Sequence, residues 1–162
     1  MTSKLVCLLP AVLLLAGCAA TPVATPRDSD PRAPTVAPVA SSACAIVTEA
    51  DVATALGFDP GAGAGTSSYD ATSCVFGTYP QMVTVNLAPT AGRAGYDRLH
   101  VPPTVGALVE ISGIGDAAFG ILNAPVATIE FLRGNAVVAI VIVNDGSKDR
   151  ALTLAKTVAG NL

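Results

Sequence analysis

The run Ala136-Val-Val-Ala-Ile-Val-Ile-Val143 constrains this chain more than any other segment. Every residue in it is apolar, so a strand built from it needs cover on both faces. That predicts a central, fully buried strand. At eight residues it is far too short for a membrane helix, which needs about 20. The rest of the fold has to assemble around it. Arg133-Gly134-Asn135, just before it, reads as a hairpin turn, which makes Val126 to Arg133 its partner strand.

Other segments extend the same pattern. Val105 to Ile111 and Ala117 to Leu122 read as strands separated by Gly113-Ile114-Gly115-Asp116. Ser73 to Thr78 and Met82 to Leu87 read as two more around Tyr79-Pro80-Gln81. In the second of these, Val83, Val85 and Leu87 share one face and Thr84 and Asn86 the other. Such alternation predicts a sheet with one wet or loosely covered face. Thr48-Glu49-Ala50-Asp51 has the form of a capping box, Ile46, Ala50, Ala53 and Leu56 recur at helical spacing, and Gly57 is a natural stop. The helix is placed at Glu49 to Leu56. Thr90 to Leu99 reads as a short helix with Tyr96 and Leu99 as its apolar contacts. A last helix starts at a Ser147 cap, with Asp149 in its first turn and Lys156 near its end. Its stripe is Ala151, Leu154, Ala155, Val158 and Leu162. The segment from Asp59 to Gly65 reads as a flexible glycine-rich loop. Tight turns pair strands antiparallel, and helices set apart from runs of strands argue for α+β. The expected fold is an antiparallel β-sheet of about five to six strands with helices packed on one face.

The N-terminus is organised differently. Lys4 precedes an apolar stretch from Leu5 to Ala16, which has the form of a secretory signal. It ends in Leu15-Ala16-Gly17-Cys18, which resembles a bacterial lipobox. The resemblance implies removal of residues 1–17 and a diacylglyceryl group on the Cys18 thiol. Residues 18–43 follow as a tether rich in Pro, Ala and Thr, because Pro22, Pro26, Pro31, Pro34 and Pro38 block helix and sheet. Residues 44–162 form the single domain. It holds six Lys or Arg against ten Asp or Glu with no block of like charge, so a nucleic-acid partner is disfavoured.

Of the four cysteines, Cys7 falls in the signal and Cys18 in the lipobox, leaving Cys44 and Cys74. An even pair in an oxidising compartment argues for a disulfide. Free thiols are the alternative. A redox pair prefers C-x-x-C, and a metal site needs further ligands in a chain with one His. No cofactor motif is present: Gly61-x-Gly63-x-Gly65 follows a helix and lacks the Lys of a phosphate loop. No G-x-S-x-G occurs either. The weak candidates for a cleft are Asp116, in its glycine turn, Glu110, and His100 on an expected exposed loop. Glu110 and Glu130 read as solvated alternates of their strands.

Cys44-Ala-Ile-Val-Thr-Glu-Ala-Asp-Val-Ala-Thr-Ala-Leu-Gly57, Ser73-Cys74-Val-Phe76, Gly113-Ile-Gly-Asp-Ala-Ala-Phe119 and Ala151-Leu-Thr-Leu-Ala-Lys156 occur in that order. Together they resemble small actinobacterial envelope lipoproteins of unknown function, with mycobacterial members. The resemblance spans residues 44–162. Ile46-Val47 departs from the family's Leu pair, and the loop after Pro60 is richer in glycine. It implies a compact α+β lipoprotein with a disulfide, and supplies no known catalytic residues to carry over. The expected function is a non-catalytic binding or interaction module, held to the extracytoplasmic face of the cell membrane through Cys18. Its ligand would be a protein, glycan or lipid. The alternatives are an envelope hydrolase and a sensor or regulatory partner of a membrane protein.

Overall fold

The computed structural model describes residues 42–101, 103, 106–123, 125–143 and 148–162. The expected signal, residues 18–41 of the expected tether and the Ser147 cap lie outside the described residues, as does Val105, while Ala43, expected to end the tether, is buried as the first residue of α1. In chain order the elements are α1 (Ala43–Ile46), α2 (Glu49–Leu56), β1 (Ala64–Ser68), β2 (Ala71–Thr78), β3 (Gln81–Ala88), α3 (Gly92–Leu99), β4 (Leu108–Glu110), β5 (Ala117–Asn123), β6 (Val126–Arg133), β7 (Ala136–Val143) and α4 (Lys148–Gly160).

The strands form one antiparallel sheet in the order β1-β2-β3-β7-β6-β5-β4. Two meanders, β1 to β3 and β4 to β7, are joined where β7 pairs with β3. The apolar run is therefore the middle strand, as its sequence requires. Val138, Ile140 and Ile142 point into the main core with Val83, Val85, Leu87, Ile129 and Phe131. On the other face only the start of β7 is covered: Val137 is buried, but Ala139, Val141 and Val143 are half-buried. Full burial of this strand thus holds on one face alone.

Helices α2 and α4 close the main core, with Val52, Leu56, Leu154, Ala155 and Val158 buried. The α2 stripe is Val52, Ala55 and Leu56 rather than the expected Ala50 and Ala53, since packing turns the larger Val inward. The capping box forms as expected: Thr48 Oγ1 accepts from Asp51 N–H at 3.2 Å, and the Asp51 carboxylate accepts from Thr48 N–H at 2.9 Å. The helix stops at Gly57, with φ of 77°.

Two features correct the expected architecture. First, the sheet has seven strands, because β1 forms at Ala64–Ser68, overlapping the end of the expected glycine-rich loop. All five of its residues are exposed, so no hydrophobic period marks it. Small residues are needed because the chain crosses the Cys44–Cys74 disulfide here. A Cβ at Gly63 would lie 2.5 Å from the Phe76 ring and 2.8 Å from Cys74 Sγ. Second, the helices do not share one face. α3 lies on the face opposite α2 and α4, where Tyr96 packs with Phe119, Leu132 and Val137.

Candidate functional site

The α3 face of the sheet gathers the polar groups that the main core excludes. Antiparallel register sets Glu110 opposite Phe119, Phe119 opposite Glu130, and Glu130 opposite Ala139. Glu110, Phe119 and Glu130 therefore form one row across β4, β5 and β6, with side chains on the same face. α3 lies over part of that face. Its first N–H, from Gly92, donates to Asn135 O at 2.9 Å, which fastens the helix to the β6–β7 turn. Tyr96 is buried and meets Phe119 edge-on, with centroids 5.2 Å apart. Leu99 was expected to make apolar contacts but is 44% exposed, because it is the last residue of α3, where the helix ends.

His100 ends α3, its N–H donating to Tyr96 O at 3.2 Å. Its ring stacks on Phe119 at 4.7 Å between centroids, and Nε2 lies 2.8 Å from Glu110 Oε1. His100 lies outside the helix and exposed, as expected, but its imidazole, 37% exposed, is held on both a carboxylate and an aromatic ring. Glu110 remains mostly solvated, as expected of an outward strand position. Glu130 does not. Its Oε2 is buried without a hydrogen-bond partner among the described residues, and burial raises its pKa, an effect the neighbouring His100 opposes. Burial also raises the Tyr96 phenol, with Glu110 adding to the effect.

A cavity of about 360 Å³ opens at this end of the sheet, lined by His100, Pro103, Gly106 and Leu108. That is within the range of small-molecule sites, roughly 300–1,000 Å³. A side chain at Gly106 would collide with Asn123 and Ile121, so the chain passes β5 here as bare backbone. The arrangement offers an imidazole oriented by one carboxylate, a second carboxyl beside it, and apolar walls. Such a set can orient a polar group of a ligand or exchange a proton with it. Among the described residues no set of three His, Cys, Asp or Glu side chains is placed to hold a metal ion.

Of the sequence candidates, His100 and Glu110 come together and Asp116 does not join them. The Asp116 carboxylate accepts from Gly134 N–H at 2.7 Å, and its own N–H donates to Leu132 O at 2.7 Å. It braces the glycine turn against the β6–β7 hairpin while Ile114 plugs into the core. Glu130, Phe119 and Tyr96 escape sequence reasoning as site residues. Only Tyr96 left a local signal, one helical turn before the single histidine.

No family model and no curated protein matches the chain. Among solved structures it is similar to a GTP binding regulator from Thermotoga maritima, at 10% identity and a TM-score of 0.43, over 70% of this chain and 89% of that one. A likeness of that order says nothing about what this chain binds.

Proposed function

We propose that this chain is a lipid-anchored lipoprotein of the cell envelope, and that its domain is a non-catalytic binding module on the extracytoplasmic face. The observation that carries the binding reading is the cavity beside His100, where an oriented imidazole and apolar walls meet. Two features support the location: the Leu15-Ala16-Gly17-Cys18 sequence and the pairing of Cys44 with Cys74, since disulfides persist in oxidising compartments. The motifs shared with small actinobacterial envelope lipoproteins fit the same reading.

Native mass spectrometry of the protein released from its own membranes tests it. The wild-type chain is expected to retain a ligand or partner that His100→Ala loses while its melting curve stays unchanged. Equal retention by both proteins, or no retention by either, would count against this cavity as the site. One observation favours the hydrolase reading as an alternative: the 2.8 Å contact between His100 and Glu110, with a second carboxyl nearby. That reading requires a measured turnover that His100→Ala and Glu110→Gln each abolish.

A further inference from the structure

A second concave surface lies on the opposite face of the sheet, away from the Phe119 row. α4 covers β6 and β7 but stops short of the β4 edge. Val109 and Leu122 lie in cross-strand register with core-facing Ile129 and Ala127 respectively, so the core face continues there without a helix above it. The result is an open groove of about 220 Å³ floored by Val109, Ile111, Leu122 and Leu152. Lys148 and Lys156 also line it. They stand one helical turn either side of Leu152, so the lysines are set about 12 Å apart along the helix at ~1.5 Å per residue. Both are exposed, and neither has an ion-pair partner among the described residues. Glu110 contributes to the groove, but its carboxylate is turned through the sheet to His100. In a domain where anions outnumber cations, two lysines beside an apolar floor are a local reversal of charge.

We infer that this groove binds a single-chain anionic amphiphile, a fatty-acid carboxylate, with its chain on the Val109, Ile111, Leu122 and Leu152 floor and its head on a lysine. The floor alone would take any apolar group. The lysines select a negative head, because an ammonium at the rim attracts the charge of a carboxylate, which an alcohol lacks. The length between the lysines limits the part of the chain that is sheltered. This site is separate from the His100 cavity and stands whether or not that cavity binds anything.

The test is calorimetric titration of the chain carrying Cys18→Ala, which removes its own acyl groups as competitors. Hexanoate, octanoate, decanoate and dodecanoate are each used below the concentration at which they form micelles. Affinity is expected to rise by up to about fourfold per methylene, then level off once the chain outgrows the groove. Lys148→Gln combined with Lys156→Gln is expected to weaken octanoate binding by up to about fivefold, since one head forms one solvent-exposed charge pair at a time and the double change leaves no lysine to take it. Both lysines are exposed, so the melting curve stays in place and the loss reads binding alone. 1-Octanol is expected to bind the wild-type protein no better than octanoate binds the double variant. The inference is overturned if no fatty acid binds, if chain length has no effect, or if the double variant or the alcohol binds as well as wild type binds octanoate.

Discussion

Glu130 shows how one position in a strand acquires an unusual energy. The pleat aims it at the α3 face, between Phe119 and Ala139, where one of its oxygens loses water and finds no partner among the described residues. Burial therefore raises its pKa above the ordinary value of 4.5. The sign for stability follows directly. Between 4.5 and the raised folded value, the folded state holds a proton that the unfolded state has released. Stability contributed by this group thus falls as pH rises through that window, and the deficit stays constant above it. Glu130→Gln should stabilise the domain near neutral pH, by about 1 kcal/mol, because it removes a partly desolvated charge while keeping the shape of the side chain, and half-burial keeps the gain small. The gain should vanish in acid, where both forms are neutral. Melting curves of both proteins from pH 4 to 8 check this, and a gain that grows towards acid would contradict it. Gly63 makes the complementary case for steric space. Gly63→Ala should cost about 1–3 kcal/mol in a denaturant titration, because its methyl group would enter the space of the Phe76 ring and Cys74 Sγ.

At the scale of elements, the disulfide does more than close a loop. It ties the single turn α1 to β2 across a separation of 30 residues, and Ala43 N–H donating to Thr72 Oγ1 at 2.8 Å holds the same junction. Asn161 Nδ2 donates to Ile46 O at 3.0 Å from the far end of the chain. Replacing both Cys44 and Cys74 by Ala should therefore destabilise by about 3–4 kcal/mol on the loop-entropy account. β1 should lose amide-exchange protection first, because its exposed residues bury nothing that could hold it in place. Uniform loss of protection across the sheet would mean that the disulfide supports the whole core instead. These elements also show what a sequence can reveal. α2 is legible because a capping box and a glycine bracket it, and β6 and β7 because their apolar patterns run uninterrupted to a turn. β1 is illegible because pairing through the backbone leaves no trace in side-chain periodicity. His100 and Glu110 can each be singled out from residue type, but their meeting cannot. It depends on α3 crossing to the second face, which follows from the apolar start of β7 and the position of Leu132 rather than from anything near His100.

For the whole molecule, the proposed place at a membrane requires an anchor. Among the described residues no helix is long and apolar enough to cross one. The domain carries more anions than cations, so electrostatic attraction to an anionic surface is unavailable to it as a whole. The two lysines of the α4 groove are too few to replace an anchor, since each basic residue near such a surface contributes about 1 kcal/mol. On the proposed reading the attachment rests on acyl chains at Cys18, with about 0.8 kcal/mol for each buried methylene and two chains for stable retention. Cys18→Ala should then shift the protein from the membrane pellet to the supernatant after fractionation, without changing the domain's melting curve. Washing the wild-type membranes with concentrated salt should not release it, because acyl insertion is not screened. Retention of the Cys18→Ala protein in the pellet, or salt release of the wild type, would show that the attachment does not rest on acyl chains at Cys18.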